Sequence, residues 1–330
     1  LRGTENIYTV ITALGNPDDH QSGSTASNSL QAIARSSNLG NFYALGADID
    51  ASSTSSWNLT KGFTPIGSDT GSSSFSGLFE GLGHQINDLT INNPSQKNVG
   101  LFGYSYSQRI SNLRLSNVNV TGYTYTGGLV GRSASAGQIF NVSVNGNVSG
   151  YSSVGGLIGQ LDDGSLNLGN FKGEVQSRVQ LSNSPSRQAA SNLGGLIGLM
   201  GSNGSLSNSY FDGVLTGVFS VGGLVGNNLG LIENSYANVT VGMPDNNDSY
   251  ASSKTANYKI GGLVGLNSGT IINSYANGLS YASQRTVTGS DGKQTPLFYV
   301  GGLVGQSIYS SSATAKHSVT SSVWNSQANT

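Results

Sequence analysis

Apolar residues in this chain alternate with small or polar ones over short runs, and the runs return at fixed intervals. Gly-Gly-Leu-[Val/Ile]-Gly occurs at 127–131, 155–159, 194–198, 222–226, 261–265 and 301–305, with a degenerate copy at 99–103. About ten residues further on, a second phrase pairs an apolar residue with Asn: Ile110 with Asn112, Ile139 with Asn141, Leu206 with Asn208, Ile232 with Asn234 and Ile271 with Asn273. Val319 repeats it with Ser321 in the Asn place. In its fullest form the phrase reads Asn-Ser-Tyr-Ala-Asn, at 234–238 and 273–277. A two-residue period is that of half-buried strands, and the Asn, Ser and Gly between the runs are turn formers. No sustained 3.6-residue stripe is present, apart from a short helix expected around Leu30 to Ala34.

The second glycines are spaced by 28 residues from 128 to 156 and from 195 to 223, and by 39, 39 and 40 residues from 156 to 195, 223 to 262 and 262 to 302. The unit is therefore 28 residues, with 11 or 12 extra in three coils. Short strands recurring in one order cannot pair as hairpins without breaking the repeat. They can pair with their own copies one coil away, about 4.8 Å distant, so the chain is expected to be all-β, a right-handed parallel β-helix (solenoid) with 28-residue coils and corner insertions. A β-propeller, with blades of roughly 40 residues, fits the spacing less well. Residues 1–98 are expected to form irregular first coils and 99–330 the regular ones, truncated at the C-terminus. Leu1-Arg2-Gly3-Thr4 lacks a start Met, and the last coil lacks a polar cap, as in an excised piece.

Composition sharpens the picture. Glycine is 48 of 330 residues, charged residues make up 9%, and the formal net charge is −1. Such a chain offers no basic surface for nucleic acid, and no run of 18 apolar residues calls for membrane insertion. With no cysteine, repeat packing must hold the fold. The glycines are read as points of close backbone approach rather than a phosphate cradle, and two stacked rows, Asn112, Asn141, Asn208, Asn234 and Asn273, and Asn145, Asp212, Asn238, Asn277 and Asn325, as structural ladders. Tyr210, Tyr236 and Tyr275 are read as aromatic packing.

Binding is expected where the coil carries length it does not need. The three insertions, roughly 171–192, 239–260 and 278–300, each precede a Gly-Gly phrase and should leave the stack at one corner. They hold Arg178, Arg187, Lys254, Lys259, Arg285 and Lys293, suited to a carboxylate, and Tyr258, Tyr250, Tyr281 and Phe298, suited to a sugar face. A second surface is Tyr123, Tyr125 and Tyr151. Catalytic carboxylate pairs reduce to Asp48 with Asp50 and Asp162 with Asp163, of which the latter should point to opposite faces. His20, His84 and His317 are isolated, and Asp245-Asn246-Asn247-Asp248 is an incomplete calcium loop, so neither a catalytic residue, a metal nor a cofactor is expected.

The Gly-Gly-Leu-Val-Gly and Asn-Ser-Tyr-Ala-Asn phrases are similar to the GLUG motif of bacterial surface exoproteins. The earlier Tyr-Ala-Leu-Gly-Ala-Asp-Ile-Asp (43–50), Gly-Phe-Thr-Pro-Ile-Gly (62–67) and Phe-Glu-Gly-Leu-Gly-His (79–84) resemble the segment leading into such repeats in filamentous-haemagglutinin-like adhesins. The resemblance implies a β-helical stalk that is not an enzyme, export by two-partner secretion through an outer-membrane transporter, and display on the bacterial outer-membrane surface. It also implies adhesion to a host-cell glycan or glycoprotein receptor. The high-molecular-weight adhesins within this class would add sialylated glycans as ligands and glycosylation on Asn-x-Ser/Thr. Seven such sequons start at Asn58, Asn119, Asn141, Asn147, Asn203, Asn238 and Asn247; Asn141 and Asn238 fall in the ladders, which leaves Asn58, Asn119, Asn147, Asn203 and Asn247 as acceptors. Rival readings are a structural spacer, self-association of stalks side by side, and a polysaccharide-acting β-helix enzyme. GLUG repeats also occur in large secreted metalloproteases, but their His-Glu-x-x-His site is missing here.

Overall fold

A computed structural model describes residues 7–70, 73–178, 192–217, 219–242, 258–280, 286–288, 294–296, 298–308 and 318–325. Its strands pair with their own copies. Val130 is in register with Phe102 below and Ile158 above, Ile158 with Ile197, Ile197 with Val225, Val225 with Val264 and Val264 with Val304, every pair parallel. Six segments just before the Gly-Gly pairs stack likewise: Thr124–Gly127, Ser152–Gly155, Asn192–Gly194, Ser220–Gly222, Tyr258–Gly261 and Phe298–Gly301. The chain is thus a parallel β-helix, and the repeat is its coil. A single run of apolar contacts extends from Ile11 to Ala276 along the axis.

Each letter of the first phrase has a task in this stack. Leu129, Leu157, Leu196, Leu224 and Leu263 are fully buried. The second glycine turns a corner so tightly that a side chain has no place. At Gly195 an added Cβ would lie 2.1 Å from the Gly223 carbonyl oxygen and 2.3 Å from the Phe211 ring. Close approach, as the spacing predicts, is the reason for glycine there.

The second phrase resolves with equal economy. Asn112, Asn141, Asn208, Asn234 and Asn273 have φ between 48° and 54°, and Ser321 has 49°. Asn tolerates this left-handed conformation because its short amide bonds locally. Their amides also form a ladder: Asn141 Nδ2 donates to Asn112 Oδ1 at 2.7 Å, and Asn273 Nδ2 to Asn234 Oδ1 at 3.4 Å. The Ser that follows points inward. Ser209, Ser235 and Ser274 are buried, and each hydroxyl donates to the carbonyl two residues earlier while accepting the amide of its copy in the preceding coil or, for Ser209, the Gly169 amide. Tyr then points outward: Tyr210, Tyr236 and Tyr275 stack at 5.1 and 5.0 Å with interplanar angles of 6° and 4°. Ala237 and Ala276 return to the core. The last Asn joins an outer ladder in which Asn238 donates to Asp212, Asn277 to Asn238 and Asn325 to Asn277. Asn145, expected in this ladder, is separated from Asp212 by Lys172, whose Nζ lies 3.7 Å from the Asp212 carboxylate.

The coil at 155–194 carries the same turn without the Asn. Its copy is Ser165-Leu166-Asn167-Leu168, and Leu168 occupies the left-handed place with φ 55° and 43% exposure. A second ladder lies inside: Asn228 Nδ2 donates to Asn267 Oδ1 at 2.7 Å, and both amides bond to turn backbone.

The described part of 1–98 forms the lower coils of the same stack. Tyr8–Ile11, Phe42–Leu45, Leu78–Glu80 and the start of Arg109–Thr121 pair in parallel succession. Aromatic rings join Ile and Leu in their core: Phe75 and Phe79 pack on Phe102 at 4.9 and 5.3 Å, as Phe171 packs on Phe211 at 6.0 Å in the coils above. The short helix expected near Leu30 is a 3-10 turn, Gln31–Ala34, with Ile33 buried.

A leucine in the left-handed region costs on the order of 1–2 kcal/mol. Leu168→Asn should relieve that cost and supply the missing amide, raising stability by about 1 kcal/mol. The denaturant midpoint of the variant against the parent chain reads this directly, and an unchanged or lower midpoint contradicts the assignment.

Candidate functional site

The three insertions leave and rejoin the stack at aligned positions. Gln176, Thr216 and Gly242 are in register, as are Val241 and Ser280, and the strands before the insertions end at Ser177, Gly242 and Ser280. The strands after them hold Asn192, Lys259 and Tyr299, which share one row through Ser220. The points of departure and return of all three therefore lie at one corner. The insertions are shorter than the sequence reading placed them. Residues 171–177, 239–242 and 258–260 belong to strands, and Phe171 is a core residue. Within the third, Thr286–Thr288 and Gln294–Pro296 form an antiparallel ribbon.

Aromatic residues pack along the described part of this corner. Tyr123 and Tyr151 stack at 5.1 Å with their planes 5° apart, and Phe219 stacks on Tyr258 at 5.5 Å. Tyr258 is 2% exposed, so its ring is part of the corner packing and its face is not open to a sugar, contrary to the sequence reading. Lys259 follows it, half-buried, with its ammonium pKa lowered by that burial. Arg178 is exposed, and its amide donates to the Gly150 carbonyl. Arg187, Lys254, Arg285 and Lys293 lie outside the described residues, as do Tyr250, Tyr281 and the Asp245 to Asp248 stretch. Of the corner cations, Arg178 and Lys259 are thus brought to the rim of one surface.

Tyr125 does not join the Tyr123 and Tyr151 stack. It sits in the left-handed region at φ 58°, and the Arg132 guanidinium lies over its ring at 5.4 Å and over Tyr104 at 5.8 Å. Arg132 Nε donates to Asp162 at 2.6 Å, and Gln160 donates to the other oxygen of that carboxylate. Asp163 instead accepts the Gly164 amide, so the two neighbouring carboxylates do not converge. Asp48 accepts the Gln85 amide at 3.1 Å and pairs with His84 at 2.9 Å, while Asp50 accepts the Ser52 amide. His84, read as isolated, thus has a carboxylate partner 36 residues away that spacing could not reveal. Among the described residues, no group of three or more His, Asp or Glu is placed to hold a metal ion.

The sequons divide by what their amides already do. Asn58, expected as an acceptor, instead donates its Nδ2 to the Gly62 carbonyl, as Asn141 does to Asn112 and Asn238 to Asp212. Asn119 and Asn147 are exposed and in register on adjacent coils, and Asn203 is exposed as well. Asn247 lies outside the described residues.

Residues 217–242 match the family model described as the GLUG motif, so the chain carries that motif in a coil whose turn, Ser and Tyr roles are given above. A 155-residue stretch is 36% identical to Halomucin of Haloquadratum walsbyi, covering 45% of this chain and 2% of that protein. A solved structure of IgA1 Protease superposes with a TM-score of 0.52 at 21% identity, covering 81% of this chain and 19% of that one. The second likeness is one of fold alone. The chain spans a small part of either relative.

The Asp48 carboxyl is held below its ordinary 3.8, first by the hydrogen bond to His84 and then by the Gln85 amide. A depressed carboxylate adds stability that is present above the unfolded pKa and lost as pH falls through the folded one. In a pH titration followed by carboxyl carbon NMR, Asp48 should show its midpoint below 3.8, and His84→Ala should move it upward. A midpoint unmoved by that change would assign the depression to the backbone amide alone.

Proposed function

We propose that this chain is a non-enzymatic segment of a secreted or surface-displayed exoprotein, acting in adhesion through the loops at one corner of its β-helix. The alignment of the three exits and re-entries carries this reading. It gathers loop length that the coil does not need, with Arg178 and Lys259 at its rim, on a rigid support. The match to the GLUG motif and the likeness to Halomucin, whose name marks a mucin-like protein, favour a place outside the cell. Two-partner export of the filamentous-haemagglutinin type and an acidic glycan, sialylated glycans included, are the specific form proposed. Arg178, Arg187 and Arg285 would pair with the sugar carboxylate, and Lys254, Lys259 and Lys293 would add charge.

The spacer reading has its own support. On the Tyr210, Tyr236 and Tyr275 face the rings stack on one another 5.0 to 5.1 Å apart, leaving no room for a sugar between them, and the flanking amides bond to their own copies. Such a face is satisfied without a ligand.

Changing Arg178, Arg187 and Arg285 together to Ala should weaken binding of the chain to a sialylated-glycan surface by about tenfold or more, with little change in melting temperature. Retained affinity removes these residues from the site. No binding by the folded parent to any acidic glycan favours the spacer.

Modification follows the amide accounting. Peptide mapping of the chain isolated from its native host should find sugar on Asn119, Asn147 or Asn203 and none on Asn58, Asn141 or Asn238, whose Nδ2 atoms are committed to the turn or ladder. Sugar on Asn141 or Asn238 would show that the ladders open before or during modification.

A further inference from the structure

A second corner of the stack holds a groove of about 430 Å³ between the lower coils, lined by Ser76, Tyr106, Ser107, Gln108, Ser135, Ala136 and Gly137. It lies between the strand after the Gly-Gly phrase and the strand of the Asn phrase, away from the corner of the insertions. None of its lining residues is charged.

The walls are held in place from behind. Ser107 Oγ donates to the Gly77 carbonyl at 2.8 Å, and Ser135 Oγ to the Ser107 carbonyl at 2.9 Å. The Tyr106 amide donates to Phe75, and the Gln138 amide to Gln108. A Cβ added at Gly137 would lie 2.0 Å from the Ser107 carbonyl oxygen, so the floor is backbone against backbone. On this fixed frame the outward groups are uncommitted. Tyr106 is 55% exposed, and its hydroxyl, the Gln108 amide and the Ser76 hydroxyl make no hydrogen bond among the described residues.

We propose that this groove binds an uncharged hexopyranose unit of a glycan, with the C–H face of the sugar on the Tyr106 ring and its hydroxyls on Gln108 and Ser76, while Ser135 Oγ, its proton held by the Ser107 carbonyl, can only accept. A large exposed aromatic that shares a groove with amide and hydroxyl groups suits a ligand with one apolar face and a polar rim. The preformed backbone reduces the ordering cost of binding. The groove is open to solvent and takes one sugar ring against its wall, and the absence of charge in the lining separates this ligand from the carboxylate-bearing glycan proposed for the insertion corner. The two sites stand or fall separately.

The test is saturation-transfer NMR on the whole chain with methyl β-glucoside, methyl β-galactoside, methyl α-mannoside, N-acetylglucosamine, lactose and cellobiose, and with N-acetylneuraminic acid as the charged control. At least one neutral sugar should receive saturation, and its affinity should fall about tenfold or more in Tyr106→Ala and in Gln108→Ala. Tyr106→Phe should retain binding because the ring remains, and Arg178→Ala should leave it unchanged. The melting temperature of Tyr106→Ala should match the parent because the side chain is exposed. Absence of transfer to every neutral sugar, or undiminished transfer in Tyr106→Ala, overturns the proposal. Loss of neutral-sugar binding in the Arg178→Ala variant would also overturn it, by placing the ligand at the other corner.

Discussion

Parallel pairing of each strand with its own copy, one rung away, governs the composition of this molecule. A residue in such a stack meets itself at about 4.8 Å, so only side chains that tolerate their own kind can recur in a row. Leu, Val and Ile do so in the core, amides do so by donating and accepting in turn, and tyrosines do so by lying face to face. A row of like charges would repel along its length. Where charge does enter a row, it is broken: Lys172 stands between Asn145 and Asp212, and Asp212 is followed by Asn238. The 9% charge content is a consequence of this geometry and needs no functional explanation.

Much of this was legible because a repeat exposes its own register. The spacing of the second glycines located the coils, and the apolar alternation located their inward faces. The Asn phrase was legible as a ladder, yet its deeper cause was hidden: the left-handed turn demands a residue that accepts positive φ, and the amide row is built on that demand. For this reason the coil with Leu168 escaped the pattern. The turn was conserved in backbone while the letter that marks it was changed. The inner Asn228 and Asn267 ladder was likewise missed, since its members are separated by 39 residues and Asn-rich sequence gives no sign of which amides face inward.

The candidate surfaces show the limit of pattern more sharply. Insertion lengths pointed to one corner, and the register of the flanking strands places the exits there. Tyr258, expected to present its ring from within an insertion, stands at a re-entry point, where a residue belongs to the stack before it belongs to the loop, and Phe219 stacks on its ring. The groove at Tyr106 had no signature at all. It arises where Ser76, Tyr106 to Gln108 and Ser135 to Gly137 of successive coils meet, a property of three dimensions that leaves Tyr, Gln and Ser looking like ordinary loop letters.

Because departure and return at the insertion corner fall on rows already in register, a segment of any length can be spliced in without shifting the phase of the rungs above or below. Change can therefore accumulate there under selection for contact alone, while each position of the rungs stays bound to what its own copies above and below will accept.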